Sequence, residues 1–169
     1  MKQFKKLLLI TVFMLGVVGV ANAQKIGHIN VAKLISEMPE TKKANSDLQK
    51  IQKTYQDDIV AARTTLEAKA QKYAAEQNAQ TPKTNEERRL ELQQDAGKIQ
   101  KFAAEAEKDM ATKEQKLKGP IGEKAYKAIQ EVAAEKGLVY VFDATPGGGL
   151  IIFEKGEDIY DAVKAKLGF

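Results

Sequence analysis

The sequence contains no cysteine. That absence excludes disulfide staples, a thiol nucleophile, a redox pair, a cysteine-held metal and a lipid-bearing N-terminal cysteine. Histidine is almost as scarce: His28 is the only one, beside Gly27 in a strand-like segment. No nucleophile or orienting acid is patterned around it, as catalysis would require. Carboxylates are the remaining metal ligands, and here they are spread as helix-surface charge. The residues nominate no catalytic, metal or cofactor site. Aromatic residues make up 7% of the chain, which tells against a deep, specific pocket. Tyr55, Tyr73, Tyr126 and Tyr140 read as packing residues. The run Gly147-Gly148-Gly149 lacks the Gly-Lys-Ser/Thr tail of a phosphate loop and reads as a turn.

An excess of one charge is also missing once the first residues are set aside. Lys2, Lys5 and Lys6 precede the apolar run LLLITVFMLGVVGV, and Ala21-Asn22-Ala23 supplies the small residues of a cleavage site. This is the layout of a secretory leader over residues 1–23, cut after Ala23. The whole chain carries 27 basic and 23 acidic residues; three lysines lie in the leader, so the mature part holds 24 against 23. Near-neutrality and export argue against nucleic acid as a partner. No other stretch is apolar and long enough to span a bilayer. The expected location is the periplasm.

Residues 24–31 read as a strand, with Ile26, Ile29 and Val31 interleaved with polar residues. A short helical turn follows over 32–37, stopped near Met38 by Pro39, which suits the opening of the next helix. From 40 to 80 there is neither proline nor glycine. Leu48, Ile51, Tyr55, Ile59, Ala62, Leu66, Ala70, Tyr73 and Gln77 recur in steps of three, four and four. Such an eleven-residue repeat lies close to the helix's own period and asks for little supercoiling. A break follows at 81–85, where Thr84 or Asn85 resembles an N-cap ahead of Glu86 and Glu87. In the second helix Leu92, Ala96, Ile99, Ala103, Ala106, Met110, Lys113 and Leu117 step by four and three. Gly97 beside this seam suggests a close helix–helix approach, and Gly119-Pro120 a kink or break. Two such helices lie antiparallel, because each hides its stripe against the other.

Ile121, Ala125, Ile129 and Val132 carry an apolar face to a helix end at Lys136-Gly137. The period then changes. Residues 138–142 and 150–153 are dense β-former runs whose connecting loop suits antiparallel neighbours. Residues 157–167 form a short amphipathic helix with Ile159, Val163 and Leu167 on one face. The fold class is α+β, mainly helical: strands from both ends of the chain meet in a small head, and a long antiparallel helical hairpin protrudes. Head residues 24–39 and 118–169 would flank an arm over 40–117. So small a core, with exposed sheet edges, invites self-association of undetermined number.

The segments KIGHINVAKLISEMPETKKA, KGLVYVFDATPGGGLIIF and EDIYDAVKAKL are similar to those of the Skp/OmpH family of periplasmic chaperones, and the resemblance spans essentially the whole chain. It implies a homotrimer whose heads join in a β-assembly, with hairpin tentacles around a cavity. The implied partners are unfolded outer-membrane proteins, held without nucleotide hydrolysis or cofactors. Carried onto this sequence, head and oligomerisation residues are Ile26, Ile29, Val31, Val139, Val141, Phe142, Ile151, Phe153, Ile159, Val163 and Leu167. Leu48, Ile51, Tyr55, Ile59, Leu66, Tyr73, Leu92, Ile99, Met110 and Leu117 pack the arm. Lys72, Lys83, Arg88 and Arg89 stand at the tip as client contacts, opposed by Glu76, Glu86 and Glu87. The family's best-known member is strongly basic with positive tentacle ends; this nearly neutral chain departs from it. It also lacks a counterpart to the lipopolysaccharide-binding cluster proposed there, so at most a weak membrane-surface association is expected.

The expected mechanism is enclosure, with many weak apolar contacts summing to useful affinity inside one cavity. The competing expectation is a periplasmic coiled-coil scaffold or spacer that binds one folded partner.

Overall fold

In the computed structural model, residues 25–148, 151 and 153–169 are described. The expected leader, with Gly149, Leu150 and Ile152, lies outside them. Strand β1 (Ile26–Ile29) leads into helix α1 (Val31–Glu37), whose first turn is capped by the Asn30 side chain accepting from Lys33 N. Val31 therefore opens a helix instead of closing the strand, as its β-branched side chain had suggested. Met38, at ψ 132°, separates α1 from α2 (Pro39–Glu76), and Pro39 occupies the first helical turn where its missing N–H costs nothing. A single 3-10 turn (Gln77–Ala79) and Thr81 lead into α3 (Pro82–Lys136). Thr81 Oγ1 accepts from Thr84 N, so the cap lies three residues before the predicted one.

α3 runs unbroken through Gly119-Pro120, which corrects the expected break. Proline excludes helix at the preceding residue largely through that residue's Cβ, and Gly119 has none. The helix still bears a cost: an interior proline destabilises by about 3 kcal/mol and each glycine by about 1 kcal/mol. At its far end Gly137 takes φ 65°, donating to the carbonyls of Ala133 and Ala134. Gly97, by contrast, makes no close approach; a Cβ there would meet nothing within 4 Å.

The two long helices pair antiparallel, as cross-links of rising against falling number show: Glu40 with Lys124, Tyr55 with Asp109, Lys69 with Asp95, Glu76 with Arg88. At 1.5 Å per residue α2 is roughly 57 Å long. From Gln49 to Pro120, Ala106 is the one buried residue; the seam positions on both helices are half-buried and everything else is exposed. Gln77 leaves the helix, and Glu76 takes the last half-buried place.

β2 (Tyr140–Asp143) and β3 (Glu157–Asp158) flank β1 in the order β2-β1-β3, both parallel to it. Ile26 faces Tyr140 and Ile29 faces Asp143; Gly27 faces Glu157 and His28 faces Asp158. The antiparallel pairing expected of 138–142 and 150–153 is thus replaced by a parallel sheet, and Ile151 and Phe153 lie in no strand. Parallel neighbours need a connection of about a dozen residues or more, which residues 144–156 supply and a short hairpin loop does not. α4 (Tyr160–Leu167) closes the chain, beginning three residues later than expected because 157–158 join the sheet.

One face of the sheet is covered. Ile29, Leu34, Met38, Ile159 and Val163 are fully buried, packed with Ile121, Ala125, Ile129 and Val132 from the last third of α3. Gly27 permits that approach: a Cβ on it would lie 2.6 Å from Leu138 Cδ1 and 3.2 Å from the Glu157 carbonyl. Asp143 knots the sheet to α1, its Oδ1 accepting from Val31 N at 3.2 Å and from Thr145 N at 2.9 Å. Burial works to raise the Asp143 carboxyl, but these bonds and the Thr145 hydroxyl outweigh it and hold it below the usual range.

Candidate functional site

Side chains alternate across a strand, so residues flanking Gly27 and Ile29 turn to the opposite face. That face has no cover. Ile26, Tyr140 and Phe142 are exposed there, with Phe153 beside them at 77% exposure. The Tyr140 and Phe142 rings stack at 6.0–6.5 Å spacing, their centroids 6.2 Å apart. A hollow of about 840 Å³ opens over Ile26, His28, Phe142, Ile151 and Phe153. His28 Nε2 lies 3.5 Å from Glu154 Oε1, and its Nδ1 is buried without a hydrogen-bond partner.

The residues expected in the head therefore divide. Ile29, Val31, Ile159 and Val163 are interior to the chain and unavailable to another molecule. Val141, Ile151 and Leu167 are half-buried, while Ile26, Val139, Phe142 and Phe153 are exposed. Leu34 and Met38, fully buried, were not singled out in the sequence; the apolar spacing from Val31 to Leu34 was the available signal. Tyr140 joins the exposed face through its place two residues before Phe142.

On the hairpin, Leu48 is buried and Ile51, Tyr55, Ile59, Leu66, Tyr73, Leu92, Ile99, Met110 and Leu117 are half-buried. Polar cross-links supplement this thin seam. The Tyr55 hydroxyl donates to Asp109 at 2.7 Å while its ring meets Phe102 edge-on at 6.0 Å. Lys113, the polar breach of the heptad, reaches Asp109 at 3.1 Å. Nearer the tip, Lys69 donates to Glu91 at 2.5 Å and Asp95 at 2.6 Å, and Tyr73 donates to Glu91 at 2.7 Å. Arg88 stacks 4.4 Å above the Tyr73 ring and pairs with Glu76 at 2.7 Å. Of the four tip cations, Arg88 is half-buried in that pair, Arg89 is bound to Glu86, Lys83 stands 4.0 Å from Glu87, and Lys72 is exposed.

The hydrogen bond from Lys69 is the main reason the Glu91 and Asp95 carboxyls sit below their ordinary values; Tyr73 and Lys98 add to it. The same contacts raise the Lys69 ammonium. Carboxyls lowered on folding stabilise above their unfolded pKa, and that contribution disappears as pH falls through the folded value. Backbone amide exchange around Lys69 and Glu91 is therefore expected to stay constant from neutral pH to about pH 5 and to quicken, after correction for intrinsic rates, below about pH 4. In Lys69→Met the acid-dependent part is expected to shrink; an unchanged profile would remove the clasp from the account.

Among the described residues no cluster of His, Asp or Glu could hold a metal ion, and no helix is long and apolar enough to cross a membrane. Residues 25–167 match the sequence family described as Outer membrane protein (OmpH-like). The backbone is similar to the crystal structure of an OmpH-like outer membrane chaperone from Caulobacter crescentus CB15, with a TM-score of 0.74. That likeness covers 84% of this chain and 82% of that one at 20% sequence identity, a level that speaks for the fold. No curated protein sequence matches.

Proposed function

Because the chain belongs to the OmpH-like outer membrane protein family, a group of non-catalytic periplasmic chaperones, we propose that it is an ATP-independent holdase for unfolded outer-membrane β-barrel proteins. Residues 1–23 are the export leader, removed after Ala23; residues 24–39 and 118–169 form the head, and 40–117 the arm. Three copies join through the exposed sheet face, where Ile26, Val139, Phe142 and Phe153 together with Tyr140 and Ile151 offer apolar surface to one another. A patch of that kind on a sheet is the sort that association covers.

The observation that carries the reading is the open hairpin. A pair of helices with one buried residue between Gln49 and Pro120 has no interior in which to enclose a small ligand. It offers half-covered apolar positions among charges, suited to many weak contacts with an extended chain. Barrel strands alternate apolar and polar residues, so an unfolded one brings apolar groups at every second position. Several arms around one chain sum such contacts, and folding of the client withdraws them. No nucleotide is needed. The tip adds little net charge, since Arg88 and Arg89 are already paired.

The test is a light-scattering assay on a urea-unfolded barrel protein diluted into buffer without ATP. Purified mature protein in molar excess is expected to keep the client soluble and competent to insert into vesicles. Aggregation at the rate seen in buffer alone would refute the holdase reading.

A further inference from the structure

Gly119, Pro120 and Gly122 place three helix-weakening residues within four positions of α3. Pro120 has no N–H, so the Lys116 carbonyl is left without its helical donor. Packing does not call for the glycines: a Cβ built on Gly119 or Gly122 would meet no atom within 4 Å. Alanine would fit at both, so their presence needs another reason.

Their position in the fold supplies one. The half-buried seam ends at Leu117, and the closed core begins at Ile121. The other leg of the hairpin is interrupted at a similar level, where Met38 leaves helical conformation and Pro39 opens α2. Met38 is fully buried and anchors that joint in the core. Lys124, one turn past Pro120, reaches across to Glu40 in the first turn of α2. That ion pair is about half exposed. Both legs thus carry a joint where the hairpin leaves the sheet-bearing end, and one cross-link spans them.

We infer that the segment Gly119–Gly122, with Met38-Pro39 opposite it, is a hinge that sets how far the hairpin swings from the sheet-bearing end, tethered by Lys124 and Glu40. At rest α3 stays continuous because Gly119 presents no Cβ to the proline ring. Bending there is soft because one hydrogen bond is already missing and neither glycine resists. The use of the swing, admitting clients of different size, rests on the holdase reading; the swing itself does not.

The lack of cysteine makes the test direct. Spin labels on Gln100→Cys and Asp161→Cys straddle the hinge from two exposed positions, with labelled protein diluted into unlabelled. The Gly119→Ala/Pro120→Ala/Gly122→Ala variant restores an ordinary helix and is expected to narrow the distance distribution roughly twofold. Gly97→Ala, on the same helix and equally unpacked, is expected to leave the width unchanged, and Glu40→Gln to broaden it. Equal widths in the triple variant and the parent would overturn the hinge. A second reading needs no variant at all. Amides of residues 117–122 are expected to exchange at least about tenfold faster than those of 104–109, after intrinsic correction. Uniform protection along α3 would likewise overturn it. If the parent protein fails to hold any client, the proposed function falls while these widths and rates still decide the hinge.

Discussion

Removing residues 60–70 from α2 and 94–104 from α3 is expected to leave self-association intact and to weaken the hold on a large unfolded barrel by about tenfold or more. The two segments lie opposite each other in the antiparallel pair, as the Lys69–Asp95 contact inside them indicates. Eleven residues turn a helix through about three full turns, so the stripes rejoin in phase. Ile59 is then followed by Ala62-like spacing to Tyr73, and Leu92 by a three-residue step to Ala106. The arm loses about 16 Å. None of the fully buried residues of the sheet-bearing end is touched. Sedimentation and client aggregation are to be measured on the same preparation. A smaller client is expected to remain soluble, because a shorter cradle still encloses it. Loss of assembly would make the arms structural; undiminished holding of the large client would place clients elsewhere on the molecule.

The largest effect on stability is expected from Gly27→Val. Gly27 lies in the central strand, paired on one side with Val141 and on the other with Glu157. Its missing side chain is occupied by Leu138 and, on the backbone side, by the Glu157 carbonyl. Leu138 can rotate away, but the carbonyl belongs to β3 and moves only with the strand. Valine adds two further methyl groups where a single Cβ already crowds, so β3 is pushed off β1 and Ile159 loses cover. The expected loss is about 3 kcal/mol, at the upper end for overpacked cores. Chemical denaturation measures it. Helical signal is expected to persist in part, since most of α2 and α3 lies away from the sheet. A loss below about 1 kcal/mol would mean that the core relaxes around the new methyls.

The hairpin was legible because its physics is one-dimensional. A narrow apolar stripe at helical spacing has one way to be hidden, against a second stripe running the other way. The half-buried positions from Leu92 to Leu117 follow the heptad residue for residue, Lys113 included. Those of α2 follow the eleven-residue repeat from Leu48 to Tyr73. The sheet was harder. Its third strand is Glu157–Asp158, two acids with no β-former character, joined to β1 through backbone groups such as Ile159 N donating to the His28 carbonyl at 3.1 Å. Charge on so short an edge strand discourages further pairing, and it also hides the strand from any reading of propensity. The β-former residues Ile151 and Phe153 instead line the hollow over the open face. Which apolar residues are interior was also out of reach. Ile26 and Ile29 look alike in the sequence, and a parallel register buries one and exposes the other.

The account's central claim is that the hairpin is an open pair of rods whose flanks touch unfolded chains at many places. Photoreactive residues at exposed positions along both helices, such as Gln56, Ala75, Gln100 and Ala111, test it inside cells. Crosslinks are predicted at several of these sites, to many segments of outer-membrane proteins, and are predicted to vanish once those proteins have folded. Crosslinking confined to one site, to a single folded partner, would contradict the claim and make the chain a scaffold.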